Sequence, residues 1–145
     1  MSRVLVVYCS LPGNTKVAAE AVAEGARSAG AEVSLKDCDE AGPDDLKQCD
    51  ALALGSYNAF SYMGGGLKGF FDRTFYPTQE AVTGKPYAAF MTHGGGGKGI
   101  ASIESVAGAF KLEKIADAVL AKGRPDEQAV AHLKALGARL AGAKG

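Results

Sequence analysis

The chain has no tryptophan, three cysteines and no net charge across its 145 residues. Cys9, Cys38 and Cys49 are odd in number and show no C-x-x-C spacing. That argues against a disulfide framework or a zinc site and fits a reducing cytoplasm. The apolar runs are short and interrupted, with no charged-then-apolar leader. The expectation is a soluble cytoplasmic protein with no export signal and no membrane partner. No basic block or Lys/Arg stripe with interleaved aromatics is present, so no nucleic-acid partner is expected. The balance of charge is uneven along the chain: residues 1–80 carry net −4 and residues 81–145 net +4.

Apolar residues make up 47% of the chain, enough to bury one core, and the length is that of a single domain over residues 1–145. Val4 to Tyr8 is continuously apolar and rich in β-branched residues, as in a strand covered on both faces. After a loop, Val17, Ala18, Ala21, Val22, Gly25 and Ala29 recur at helical spacing, capped by Asn14 or Thr15 and stopped by Gly30. Glu32 to Asp37 alternates like an edge strand, and Pro43 opens a short helix to Cys49. Ala51 to Leu54 reads as a strand ended by Gly55-Ser56, followed by an irregular segment from Tyr57 to Gly66. A helix then presents Leu67, Phe71 and Phe75 on one stripe. Tyr87 to Met91 is a further central strand, Ile100 to Phe110 a helix, and Lys114 to Ala121 a final strand. Pro125 with Asp126 and Glu127 marks the start of a closing helix whose stripe is Ala129, Leu133, Leu136 and Leu140.

Five alternations of strand and helix predict an α/β fold, a doubly wound five-stranded parallel sheet with helices on both faces. Ligands of such sheets bind beyond the carboxyl ends of the strands, where strand order reverses. The Gly-rich or irregular segments Ser10 to Asn14, Tyr57 to Gly66 and His93 to Gly99 all follow strands, so they should converge on one edge.

In the first of these, Ser10, Asn14 and Thr15 supply hydroxyl and amide donors, Gly13 lets the backbone curl, and free helix N–H groups stand behind. Such a loop binds phosphate without a formal positive charge. It is neither G-x-x-x-x-G-K-[ST] nor G-x-G-x-x-G. Cys9 suggests a rival, a cysteine-based phosphatase, but that chemistry needs an Arg six residues on to clamp phosphate and lower the thiol pKa. Thr15 stands there. A phospho-receiver would need carboxylates at the end of the first strand, and Tyr8-Cys9-Ser10 has none.

SLPGNTKVAAEAV after an apolar strand resembles the phosphate loop of the flavodoxins. ALALGSYNAF is similar to their third strand and flavin-side loop, GGGLKGFFDRTF to the helix that follows, and GRPDEQAVAHLKALGARLA to the closing helix. The resemblance spans the chain in order. It implies a flavodoxin-like sheet of order 2-1-3-4-5, a short-chain form without the segment that splits the last strand in longer relatives, and FMN as the cofactor. The implied cofactor-binding residues are Ser10, Leu11, Pro12, Gly13, Asn14 and Thr15; Ser56, Tyr57, Asn58, Ala59, Phe60, Ser61 and Tyr62; and Thr92, His93, Gly94, Gly95, Gly96 and Gly97. No catalytic residue or metal is implied.

Pro12 departs from the family pattern: where Ser or Thr is usual, a hydroxyl and a backbone N–H are both missing. Each lost hydrogen bond costs about 0.5–1.5 kcal/mol, with Lys16 as a compensating charge or simply a solvated lysine. Asn58 keeps a polar group for the flavin's pyrimidine edge, while Tyr57, Phe60 and Tyr62 offer faces for stacking or plugs for the core. The glycines of the third loop permit close approach to a ligand. The tyrosine that many relatives place there to cover the ring is absent, and His93 could cover the ring, donate to it or do neither. The implied function is electron transfer between redox partner proteins, a reductase and an acceptor. The alternative is an NAD(P)H-dependent quinone or FMN reductase acting on a small acceptor such as a quinone. The neutral charge further predicts a less negative potential for the fully reduced flavin than in acidic flavodoxins.

Overall fold

The computed structural model describes residues 2–143. The predicted alternation holds. Strand β1 (Arg3–Tyr8) leads to helix α1 (Asn14–Ser28), β2 (Glu32–Asp37), α2 (Pro43–Gln48) and β3 (Ala51–Ala59). A two-residue strand β4 (Tyr62–Met63) precedes α3 (Gly65–Thr78), a 3-10 turn, β5 (Pro86–His93) and α4 (Ile100–Ala109). The chain closes with β6 (Glu113–Lys114), β7 (Val119–Lys122) and α5 (Glu127–Ala141).

The sheet order is β2-β1-β3-β5, with β6 and β7 both on the far side of β5. Counting β6 and β7 as one interrupted strand and setting β4 aside, this is the expected 2-1-3-4-5 order. Two local expectations need correction. First, the segment after Gly55-Ser56 is not irregular. β3 continues to Ala59 and folds back antiparallel on β4, because a return strand satisfies backbone groups that a loop would leave to solvent. The turn residues Phe60 and Ser61 sit at φ 53 and 62. Hairpin turns of this kind ordinarily announce themselves as Asn-Gly, so this one was silent in the sequence. Second, the last strand is split. Tyr87 pairs with Lys114 and Phe90 with Val119, and Ile115 N–H still donates to the Tyr87 carbonyl at 3.0 Å, so the outer strand runs longer than its partner and residues 116–118 loop out of the ladder.

Alternation along β1 divides the core. Leu5, Val7 and Cys9 face Leu46 of α2, Phe70 of α3 and Ile103 of α4. Val4, Val6 and Tyr8 face Ala18 and Val22 of α1 and Leu133 and Leu140 of α5. Each buried Leu, Ile or Phe contributes about 1.5–3 kcal/mol. On the second face α1 and α5 cross at glycines: a methyl on Gly25 would run into the Lys134 carbonyl, and one on Gly137 into that of Val22. The other face is tied by Lys85, whose Nζ donates to the carbonyls of Leu46, Lys47 and Cys49 at 2.8, 2.8 and 2.7 Å. That caps α2, whose last carbonyls lack helical partners. Among the described residues no helix is long and apolar enough to cross a membrane.

Candidate functional site

The first loop turns at Gly13, whose φ of 154° favours glycine. Its carbonyl accepts from Val17 N–H at 3.2 Å, so the helix cap is Gly13 rather than Asn14 or Thr15. Having no side chain, Gly13 leaves the first-turn N–H groups of Asn14 and Thr15 for another acceptor. Ser10 Oγ accepts from Lys16 N–H at 3.1 Å and so holds the loop to the helix it precedes. Leu11 and Pro12 are exposed, and the peptide between them is cis.

Thr15 behaves differently from the rest of this loop. Its side chain is buried, and Thr15 Oγ1 lies 2.6 Å from Thr92 Oγ1 on β5. This hydroxyl pair locks the first loop to the third.

The second and third loops are locked as well. Gly99 N–H donates to Asn58 Oδ1 at 2.8 Å, and a methyl on Gly99 would stand 2.6 Å from the Tyr62 carbonyl. Ser102 Oγ accepts from Met63 N–H at 2.9 Å and donates to the Gly99 carbonyl at 2.7 Å. Buried Ser56 accepts from Gly64 N–H at 2.7 Å, fixing the hairpin to the start of α3. His93 is pinned through Nδ1, which accepts from Gly96 N–H at 2.9 Å. Gly97 packs against Leu120 of β7.

The sequence candidates therefore sort into two layers. Thr15, Ser56, Thr92 and the carbonyl oxygen of Asn58 are bonded to neighbouring loops and act as braces. Tyr57 also turns inward: its ring lies under Gly64 and packs on the core. Burial raises its phenol pKa, with the Cys9 sulfur beside it adding to the shift. Ser10, Leu11, Pro12, Gly13, Asn14, Ala59, Phe60, Ser61, Tyr62, His93, Gly94, Gly95, Gly96 and Gly97 remain at least partly open to solvent. Phe60 is fully exposed at the hairpin tip and Tyr62 is exposed beside it, so of the three aromatics these two present free faces. Gly64 and Gly99 lie within the segments the sequence pointed to but were not singled out, and Ser102 and Leu120 lie outside them. Their contribution is a backbone group, a hydroxyl or an apolar contact made across the fold. Cys9 turns from the loop into the core, which removes the phosphatase geometry.

Residues 6–129 match the family model of flavodoxin. The chain belongs to the flavodoxin family. A flavodoxin of Aquifex aeolicus is 44% identical, the match covering 68% of this chain and 54% of that protein. An NAD(P)H dehydrogenase (quinone) of Archaeoglobus fulgidus is 34% identical over 66% of this chain and 65% of its own. The chain thus spans about half to two-thirds of the length of these curated relatives. Among solved structures, a flavodoxin from the domain Archaea superposes with a TM-score of 0.87 at 27% identity, covering 96% of each chain.

The family implies FMN, and the residues fit it. A methyl on Gly13, Gly94, Gly95 or Gly96 would meet nothing within 4 Å, so both glycine-bearing loops open onto free space. The first loop carries the donors an anion needs, the Ser10 hydroxyl, the Asn14 side chain and the α1 N–H groups, and the hairpin carries two exposed rings able to stack on a flat heterocycle.

Proposed function

We propose that this protein is an electron carrier that holds FMN across its three loops and exchanges electrons with redox partner proteins in the cytoplasm. The observation that carries the reading is the convergence of an open, donor-lined phosphate cradle at α1 with an exposed aromatic hairpin, braced together by Thr15–Thr92 and Asn58–Gly99. Bound FMN supplies the capacity to take up one or two electrons.

The chain's own residues do the positioning. The N–H groups of Asn14 and Thr15, with Ser10, hold the phosphate at the positive end of α1. Phe60 and Tyr62 supply stacking faces, and the backbone of Gly94 to Gly96 approaches the ligand without side-chain obstruction. The exposed hairpin leaves the ring edge reachable by a partner protein, the reductase on one half-cycle and the acceptor on the other.

A second reading, an NAD(P)H-dependent quinone reductase, is favoured by the 34% identity to the Archaeoglobus fulgidus dehydrogenase. The purified protein should show a flavin absorption spectrum and release FMN on denaturation. NADH or NADPH alone should leave that spectrum unchanged, and adding a flavoprotein reductase to the same NAD(P)H mixture under anaerobic conditions should bleach it. Fast bleaching by NAD(P)H alone would replace the carrier with the reductase; a colourless protein that gains no spectrum from FMN would end both.

A further inference from the structure

Two of the three cysteines, remote in sequence, meet beneath the first turn of α3. Cys9 follows Tyr8 at the end of β1, Cys38 follows Asp37 at the end of β2, and Tyr8 and Asp37 are paired in the parallel ladder. Cys38 N–H donates to the Tyr8 carbonyl at 2.8 Å, carrying the ladder one step further. Both side chains join the same core cluster. A methyl placed on Gly66 would stand 2.7 Å from Cys38 Sγ and 2.9 Å from Cys9 Sγ. The sulfurs are therefore no further apart than the sum of those distances, and a glycine is what leaves room for them. Paired residues on adjacent strands have Cα atoms about 4.8 Å apart, within the roughly 4.4–6.8 Å that disulfides span.

We propose that Cys9 and Cys38 form a redox-active dithiol at the N-terminus of α3, which a hydroperoxide oxidises to an intramolecular disulfide. The inference does not rest on the flavin reading.

The surroundings divide the roles. The Cys38 thiol beside Cys9, with the backbone of Leu67 and Gly66 and the Tyr57 side chain, outweighs burial and lowers the Cys9 pKa to about 6. Cys38, beside the Cys9 sulfur and buried, is held well above the usual thiol range, with Asp37 and Asp39 adding to the shift. The Asp37 carboxylate lies 3.7 Å from Cys38 Sγ. Arg73 of α3 is engaged with the Cys38 and Ala41 carbonyls at 2.7 and 3.1 Å. Because the Cys38 thiol holds its proton toward Asp37 Oδ1, Cys9 is the nucleophile and Cys38 the protonated resolving thiol, the division that makes paired thiols reactive. Cys49 is elsewhere in the core, its thiol bonded to the Leu46 carbonyl at 3.3 Å and its pKa pushed up by burial to about 11.

In the first step Cys9 sulfur attacks one peroxide oxygen. An S–O bond forms, the O–O bond breaks, and the departing hydroxide takes a proton from solvent to leave as water. In the second, Cys38 sulfur attacks Cys9 sulfur. An S–S bond forms, the S–O bond breaks, and the hydroxide leaves with the Cys38 proton as a second water. Two thiols lose two electrons and the peroxide gains them. Cys9 and Cys38 are nearly buried, at 7% and 3% exposure, so a reagent the size of hydrogen peroxide is the appropriate oxidant.

The test treats the reduced purified protein, with whatever flavin it carries, with hydrogen peroxide at near-stoichiometric ratio. It is then alkylated under denaturing conditions and mapped by mass spectrometry without reduction. Expected are a cross-linked peptide joining Cys9 to Cys38, a single alkylated cysteine, Cys49, and full reversal by a dithiol reductant. Cys38→Ala should instead stop at a sulfenic acid on Cys9, formed more slowly because the neighbour that most lowers the Cys9 pKa is gone and trapped by dimedone on denaturation, and Cys49→Ser should close the bridge as the parent does. Three alkylated cysteines after peroxide, cross-links only between copies of the chain, or irreversible oxidation of Cys9 with Cys38 still free would each overturn the proposal. The peptide map on the unmodified sequence decides the matter even where a variant fails to fold.

Discussion

Thr15 Oγ1 and Thr92 Oγ1 meet at 2.6 Å inside the protein, joining the first turn of α1 to the end of β5 across the intervening strand β3. Each hydroxyl is the other's partner in the core. Thr92→Val should therefore cost about 1–3 kcal/mol by leaving Thr15 unpaired in a buried site, and Thr15→Val should cost a similar amount. The double variant should lose less than the sum, by about 1 kcal/mol. Urea denaturation of the four proteins checks this; strict additivity would mean the pair contributes no coupling.

The hairpin tip sets stability against binding. Phe60 and Ser61 occupy the left-handed region, at φ 53 and 62, where side chains cost about 1–2 kcal/mol per residue. Replacing them with Asn and Gly should raise the melting temperature. The same change removes the exposed Phe60 ring, and FMN affinity should fall by about 0.5–1.5 kcal/mol. Parallel melts and FMN titrations should move in opposite directions.

Pro12 subtracts a donor from the phosphate loop. Pro12→Ser restores an N–H and a hydroxyl, each worth about 0.5–1.5 kcal/mol if used. Fluorescence titration with FMN should show tighter binding, and titration with riboflavin, which lacks the phosphate, should show no change.

The crossing of α1 and α5 has no slack at its glycines. Gly25→Ala and Gly137→Ala each drive a methyl against backbone carbonyl rather than a flexible side chain. Each should destabilise by about 1–3 kcal/mol or more, although alanine is the better helix former. A rise in the denaturation midpoint for either would contradict the packing described.

Cys9 should also report its surroundings through pH. With its pKa lowered to about 6, the thiolate predominates above that pH and the thiol below it. Oxidation of Cys9 by hydrogen peroxide, quenched at intervals and followed by peptide mapping, should speed up through pH 6 and level off by about pH 7–8. Cys49, with its pKa near 11, should remain unreactive over the same range. A Cys9 profile that begins to rise only above about pH 8 would show an ordinary thiol.

The sequence by itself determined the order of strands and helices and which sheet edge the irregular loops share. Val4 to Tyr8 and Tyr87 to Met91 are apolar on both faces and had to be central; Gly30 and Pro43 punctuate helices through backbone constraints that act locally; loops following parallel strands had to share an edge. The turn at Gly13 into α1 was legible for the same reason, since a helix N-terminus is built from consecutive residues. What the tertiary structure decided are the relationships between residues distant in the chain. Thr15 and Thr92 are separated by 77 positions, and nothing in either neighbourhood announces that one hydroxyl will satisfy the other. Asn58 finds Gly99, Gly66 opens onto Cys9 and Cys38, and Tyr57 goes inward while Phe60 goes out. These follow from which groups the fold leaves buried and in need of a partner, a condition that exists only once the chain has packed.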